Sequence, residues 1–214
     1  MLCYAHYETR EDWLAGRGHS IGASEAGAIV GVSKWMTATE LWEVKTGKRA
    51  RKDLSANSAV NYGVLAEPYI RGLFMAKHPE LSLDYKPYDI LSQDERPWMT
   101  ATLDGELTDT NGKRYVLEIK TASPSSRAEW DEWNGRVKDQ YFAQILHQLL
   151  VTGWDGVYLY AELIGRNGNS QLREYYFDRE DYEGDMEWLL EKETEFWHCV
   201  ESGKRPKVTL ALGV

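Results

Sequence analysis

The stretch Tyr115-Val116-Leu117-Glu118-Ile119-Lys120-Thr121 constrains this chain more than any other segment. β-Branched and aromatic residues favour extended backbone, and strand side chains alternate between faces with a period of two. Val116, Glu118 and Lys120 therefore share one face, and Leu117 and Ile119 the other. On this pattern alone the segment reads equally as an edge strand with a Glu–Lys pair on its wet face, worth under ~1 kcal/mol.

The preceding strand changes that balance. Residues 100–105 end in Asp104-Gly105, and the glycine permits a sharp turn or a close backbone approach. If the two strands are neighbours, Asp104 and Glu118 converge beside Lys120. Carboxylates that close repel unless a cation lies between them. Magnesium, with manganese as a substitute, suits such a site, because it prefers oxygen ligands and retains waters that can be activated as nucleophiles. Lys120 would orient the attacking water, help to deprotonate it, or neutralise charge in the transition state.

Around this centre the periodicity predicts alternating helices and strands. A short helix over residues 10–15 has Thr9 as its cap, and Ser24 precedes a second. Thr37 and Glu40 form a capping-box pattern ahead of Leu41, Trp42 and Val44. Residues 55–77 read as a helix with Val60, Val64, Tyr69, Leu73 and Phe74 at helical spacing, kinked or restarted at Pro68. Strands are expected at 81–91, 98–103 and 114–121, helices at 125–133 and 138–151, strands at 156–164 and 171–177, and a Glu-rich helix over 179–200. This order implies a mixed central sheet with helices on both faces, in one domain spanning 1–214.

Charge leaves the partner open. The net charge of -9 is concentrated in residues 128–201, which carry 17 acidic and 6 basic side chains. Basic patches remain available at Lys45, Lys48, Arg49, Arg51 and Lys52. Two cysteines, Cys3 and Cys199, are too few for a zinc knuckle or a four-cysteine cluster, so any metal should have oxygen ligands. No apolar run is long enough to span a membrane, and the first residues show no targeting pattern, so a cytoplasmic protein is expected. Trp130 and Trp133 are candidate base-stacking platforms, although aromatic residues at helical spacing more often belong to a core.

The Asp-Gly…Glu-Ile-Lys order resembles the PD-(D/E)xK nuclease superfamily, with Leu103 standing where the motif's name has proline. Trp13-x-x-x-Arg17 followed by Gly22-Ala23-Ser24-Glu25, then Gly63-x-x-x-Glu67-Pro68, then Tyr141-x-x-Gln144-x-x-His147-Gln148 resemble, in order, the phage lambda exonuclease and YqaJ-type viral recombinase family. The resemblance is strongest over residues 13–152. It implies a restriction-endonuclease-like α/β fold, with Glu67, Asp104 and Glu118 binding one or two magnesium ions and the Ile119 carbonyl as a backbone ligand. Lys120 would assist the water. Arg17, Ser24 and Gln144 would gather around a terminal 5′-phosphate or the scissile strand, and Tyr141 would contact DNA or pack beside the site. Taken singly, Ser24 reads equally as a helix cap, Arg17 as the partner of a surface carboxylate, Glu67 as the start of a helical turn, and Gln144 and Gln148 as solvated amides.

The function so implied is metal-dependent hydrolysis of DNA, as a 5′-to-3′ double-strand exonuclease in phage-type recombination. A single-strand annealing protein would be its partner, and a homotrimeric ring around DNA has family precedent. The alternatives are a structure- or site-specific endonuclease on the same core, and a non-catalytic DNA-binding or phage-assembly module.

Overall fold

The computed structural model describes residues 1–207. Its elements are β1 (Leu2–His6), α1 (Arg10–Gly16), β2 (Ile21–Gly22), α2 (Ala26–Ile29), α3 (Ala38–Lys45), α4 (Ser58–Lys77), β3 (Ser82–Asp84), β4 (Asp89–Gln93), β5 (Arg96–Ala101), β6 (Gly105–Thr108), β7 (Arg114–Ala122), α5 (Arg127–Asp131), α6 (Asp139–Thr152), β8 (Gly156–Ile164), β9 (Ser170–Asp178) and α7 (Glu183–Ser202). They build a four-stranded sheet, β1-β4-β5-β2, and a five-stranded sheet, β3-β6-β7-β8-β9. In the larger sheet β7 pairs antiparallel with β6 and parallel with β8.

Helices cover both faces of that sheet. Ile70 and Phe74 of α4 pack on Leu107, Leu117, Ile119 and Tyr160 from one side. On the other, α6 sits in the main core against Val116, Val157, Leu159 and Ala161. Every residue of α6 from Ala143 to Thr152 is buried, because sheet strands, α2 and α7 enclose it. Gly153 ends the helix at φ 69°, a left-handed conformation that glycine adopts without steric cost.

Several expectations need correction. Residues 81–91 do not form one strand: β3 and β4 belong to different sheets, separated by a bend in which Tyr88 takes φ 66°. The apolar positions of α4 are not all core. Phe74 is fully buried, but Val64, Tyr69 and Leu73 are 60%, 77% and 52% exposed, and the buried stripe is Ile70, Arg71 and Phe74. Pro68 lies inside α4, which runs on past it. Ser24 does not cap a helix; it lies within a 3-10 turn entered from Gly22, whose N–H donates to the Glu25 carboxylate at 2.9 Å. Thr9 and Thr37 do cap α1 and α3. Trp133 is fully buried in the main core, with Trp130 packed against it, so neither is an open platform.

The basic stretch after α3 is largely neutralised. Lys45 is buried against Glu25 at 2.7 Å, Arg51 also pairs with Glu25, and Arg49 bridges Glu40 and Glu43 at 2.8 Å each. Lys48 lies over the Trp42 ring at 3.6 Å. Among the described residues no helix is long and apolar enough to cross a membrane.

Candidate active site

Register brings the first two carboxylates together. Gly105 of β6 faces Leu117 of β7, so Asp104, one residue earlier, lies level with Glu118 at the end of that ladder. A side chain at 105 would collide, since a Cβ there would stand 2.7 Å from Leu83 Cδ1 and 3.2 Å from Leu117 Cβ. The glycine thus serves close approach. Asp104 Oδ2 accepts the Ile119 backbone N–H at 2.7 Å.

Glu118 lies on an interior strand and is 3% exposed, which excludes the wet edge-strand reading. Its carboxylate is held by three donors. Lys120 Nζ and Gln144 Nε2 both donate to Oε1, the latter at 2.8 Å, and Gln148 Nε2 donates to Oε2. Gln144 and Gln148, a turn apart on α6, are therefore buried carboxylate ligands rather than solvated amides. The Lys120 ammonium also faces the Tyr141 ring at 5.2 Å.

Glu67 enters from α4. Arg71, one turn further, pairs with Glu67 and donates from Nε to the Asp104 backbone carbonyl at 2.6 Å. The guanidinium lies 3.6 Å from the centre of the Tyr85 ring. Sequence reasoning missed Arg71 and Tyr85. The i,i+4 spacing of Glu67 and Arg71 was a readable signal for the first, whereas nothing local marks the second.

The carboxylates perturb one another. Burial, and after it the charges of Glu118 and Glu67, push the Asp104 carboxyl well above the usual carboxylate range. Burial raises Glu67 as well, with Arg71 opposing and Glu118 adding. Burial works against the Lys120 ammonium, but Glu118 and Asp104 outweigh it and raise its pKa.

These groups open onto a cavity of about 480 Å³, whose lining includes Glu67, Asp104, Glu118, Ile119 and Lys120. Arg17, Ser24 and Gln144 border the same space, whereas Tyr141 does not. Ser24 is exposed there. The Arg17 guanidinium lies over the Trp13 ring at 4.6 Å, and among the described residues no carboxylate pairs with it. Its natural partner, Glu25, is already taken by Lys45 and Arg51. Burial accordingly lowers the Arg17 pKa, with Glu25 opposing only in part. A desolvated cation without a partner favours an anion in the cavity.

Two mixed sheets flanked by helices, with Asp104, Glu118 and Lys120 at the end of an interior strand pair, make up a restriction-endonuclease-like α/β fold. The YqaJ-like viral recombinase domain matches residues 12–155, and the chain belongs to that family. It is 31% identical over 191 residues to the uncharacterized protein YqaJ of Bacillus subtilis (strain 168), covering 89% of this chain and 56% of that protein. The chain thus spans little more than half the length of that curated relative. Among solved structures, an alkaline exonuclease from Laribacter hongkongensis superposes with a TM-score of 0.66 at 17% identity, covering 91% of this chain and 94% of that one. A phage related exonuclease from Haemophilus somnus 129PT gives 0.57 at 14% identity, covering 86% and 96%. At these identities the likeness is one of fold.

Proposed function

We propose that this chain hydrolyses phosphodiester bonds of DNA with a divalent cation, magnesium or manganese, as a 5′-to-3′ double-strand exonuclease of phage-type recombination. The observation that carries the reading is the meeting of Asp104, Glu118 and Lys120 in one cavity with the unpaired guanidinium of Arg17. Family membership and the fold shared with exonucleases support it.

The donor set fits a hard cation. Among the described residues no three acidic, histidine or cysteine side chains form a ready cage. Asp104, however, is a half-buried carboxylate that carries the repulsion of two others, which a divalent ion relieves. Glu67 and Glu118 are now held by the protein's own cations, Arg71 and Lys120, so ion binding there exchanges one positive partner for another. Glu67, Asp104, Glu118 and the Ile119 carbonyl would hold the ion. When bound, it supplies a water of lowered pKa and neutralises charge on the scissile phosphate.

The chain's own residues do the rest. Gln144 and Gln148 orient Glu118, leaving less freedom to be lost on reaction. Lys120 directs its ammonium at the attacking water or a phosphate oxygen. Arg17, stacked on Trp13, offers its fork to the terminal 5′-phosphate, and the Ser24 hydroxyl adds a donor. A ring of three chains and a single-strand annealing partner belong to the same reading.

End-labelled linear duplex with 5′-phosphate or 5′-hydroxyl ends, followed with and without magnesium, tests it. Magnesium-dependent release of label from the 5′ end is expected. Cleavage of covalently closed circles would overturn the end-dependent reading, and inert linear duplex would overturn the enzymatic one.

A further inference from the structure

The bend between β3 and β4 brings Tyr85, Lys86, Pro87 and Tyr88 to the cavity that holds the carboxylates. Its backbone is unusual: Tyr88 is the single non-glycine residue at positive φ among the described residues. Such conformations persist where the surrounding structure enforces them, and they gather at functional sites.

Tyr85 is 39% exposed. One face of its ring is covered by the Arg71 guanidinium, which in turn holds Glu67 and the Asp104 carbonyl. The ring is therefore fixed relative to two of the reaction-centre acids. Burial and then the Glu67 charge raise the pKa of its hydroxyl, in keeping with that proximity. Val60 and Val64 of α4, 38% and 60% exposed, add apolar surface to the same cavity.

The cavity thus combines an unpaired cation, a carboxylate centre and an arginine-backed aromatic ring beside aliphatic surface. That set matches a nucleotide, which is anionic at the phosphate and flat and weakly polar at the base. Base–aromatic stacking accepts any base, because every base offers a π-face. An arginine stacked on the far face holds the ring in place without occupying the near one.

We propose that Tyr85 is the stacking platform for the base of the terminal nucleotide held at the reaction centre, an assignment that rests on the nuclease reading above. Tyr85 is here a binding residue, and Arg71 is the residue that positions it.

The test titrates the full chain, in calcium, with 5′-phosphorylated duplexes whose terminal 5′ nucleotide carries adenine, 2-aminopurine or no base. The wild type is expected to quench the 2-aminopurine and to bind the adenine end roughly tenfold or more tightly than the abasic end. Y85L should lose that difference by weakening the adenine-ended complex alone, and Y85F, which keeps the ring, should restore it. Equal affinity of the wild type for adenine and abasic ends overturns the assignment. So does an equal loss on both ends in Y85L, which would leave Tyr85 serving only to cover Arg71. Base-dependent binding by a chain that never cleaves linear duplex in magnesium would instead sink the enzymatic reading and keep the platform.

Discussion

Asp104 is tied across the end of the sheet to the backbone of Ile119, whose N–H donates to its Oδ2 at 2.7 Å. Asp104→Asn keeps an oxygen for that bond while removing the charge, so the fold should survive and the chemistry should not. The expected loss in cleavage rate is at least about 10²–10³-fold, with a similar loss for Lys120→Ala. Release of label from linear duplex in magnesium measures it, and DNA binding in calcium should remain. Full activity in either variant would remove that residue from the reaction centre.

Arg17 lines the cavity with no carboxylate paired to it among the described residues, and its truncation should act on one class of end. Arg17→Ala is expected to lower the preference for 5′-phosphorylated over 5′-hydroxyl ends by roughly 10- to 100-fold, the worth of a charge-assisted hydrogen bond. Arg17→Lys should recover only part of it, because an ammonium lacks the planar fork. Comparing kcat/KM on the two ends checks this; equal losses on both would assign Arg17 a different role.

Gln148 donates to Glu118, while its own Oε1 is buried without a hydrogen-bond partner. Gln148→Leu deprives the carboxylate of a donor but also removes the orphaned acceptor, so the two effects partly cancel. A small fall in Tm is expected, under about 4 °C, together with a clear loss of manganese affinity by calorimetry as Glu118 loosens. Gln148→Glu sets a second buried carboxylate against Glu118 and should lower Tm further. Unchanged manganese binding in the leucine variant would show that the clamp does not position the ligand.

His147 meets acceptors on both ring nitrogens: Glu193 of α7 at 2.8 Å on Nδ1 and the Thr100 carbonyl of β5 at 2.9 Å on Nε2. Only the imidazolium can donate to both. Burial opposes that charge, but Glu193, the Thr100 carbonyl and the more distant Glu25 outweigh it, and the pKa is raised above 6.5. The native state therefore holds a proton that the unfolded chain releases, and stability must fall with pH across that interval. Its contribution is whole below pH 6.5, declines above it, and is gone once the raised native value is passed. Chemical denaturation from pH 6 to 9 should show this slope and His147→Asn should lack it; identical slopes would refute the coupling.

Much of this architecture was readable from local pattern. The interior strands β7 and β8 and the helix α6 fall within a residue or so of their expected bounds, because two-sided burial writes long apolar runs into them. The strand expected at 81–91 failed for a tertiary reason: its two halves pair with different sheets, and nothing local marks Tyr88 as the break. The short β6 and β2 are held by their neighbours more than by propensity. At the site, the spacing of Glu118 and Lys120 and the glycine after Asp104 were legible, whereas Glu67 was reached only through family likeness. Arg71 was marked by its i,i+4 spacing from Glu67 but passed over, and Tyr85 stayed hidden because its significance lies in a contact between α4 and the β3–β4 bend.

The parallel pairing of β7 with β8 has a consequence for the timing of synthesis. Such a pair cannot form until the intervening crossover, here α5 and α6, has been made and folded back. Glu118 acquires its amide donors from that same crossover. A chain still emerging from the ribosome thus carries its acids without the amides that aim them until Gln144 and Gln148 have been made and folded back.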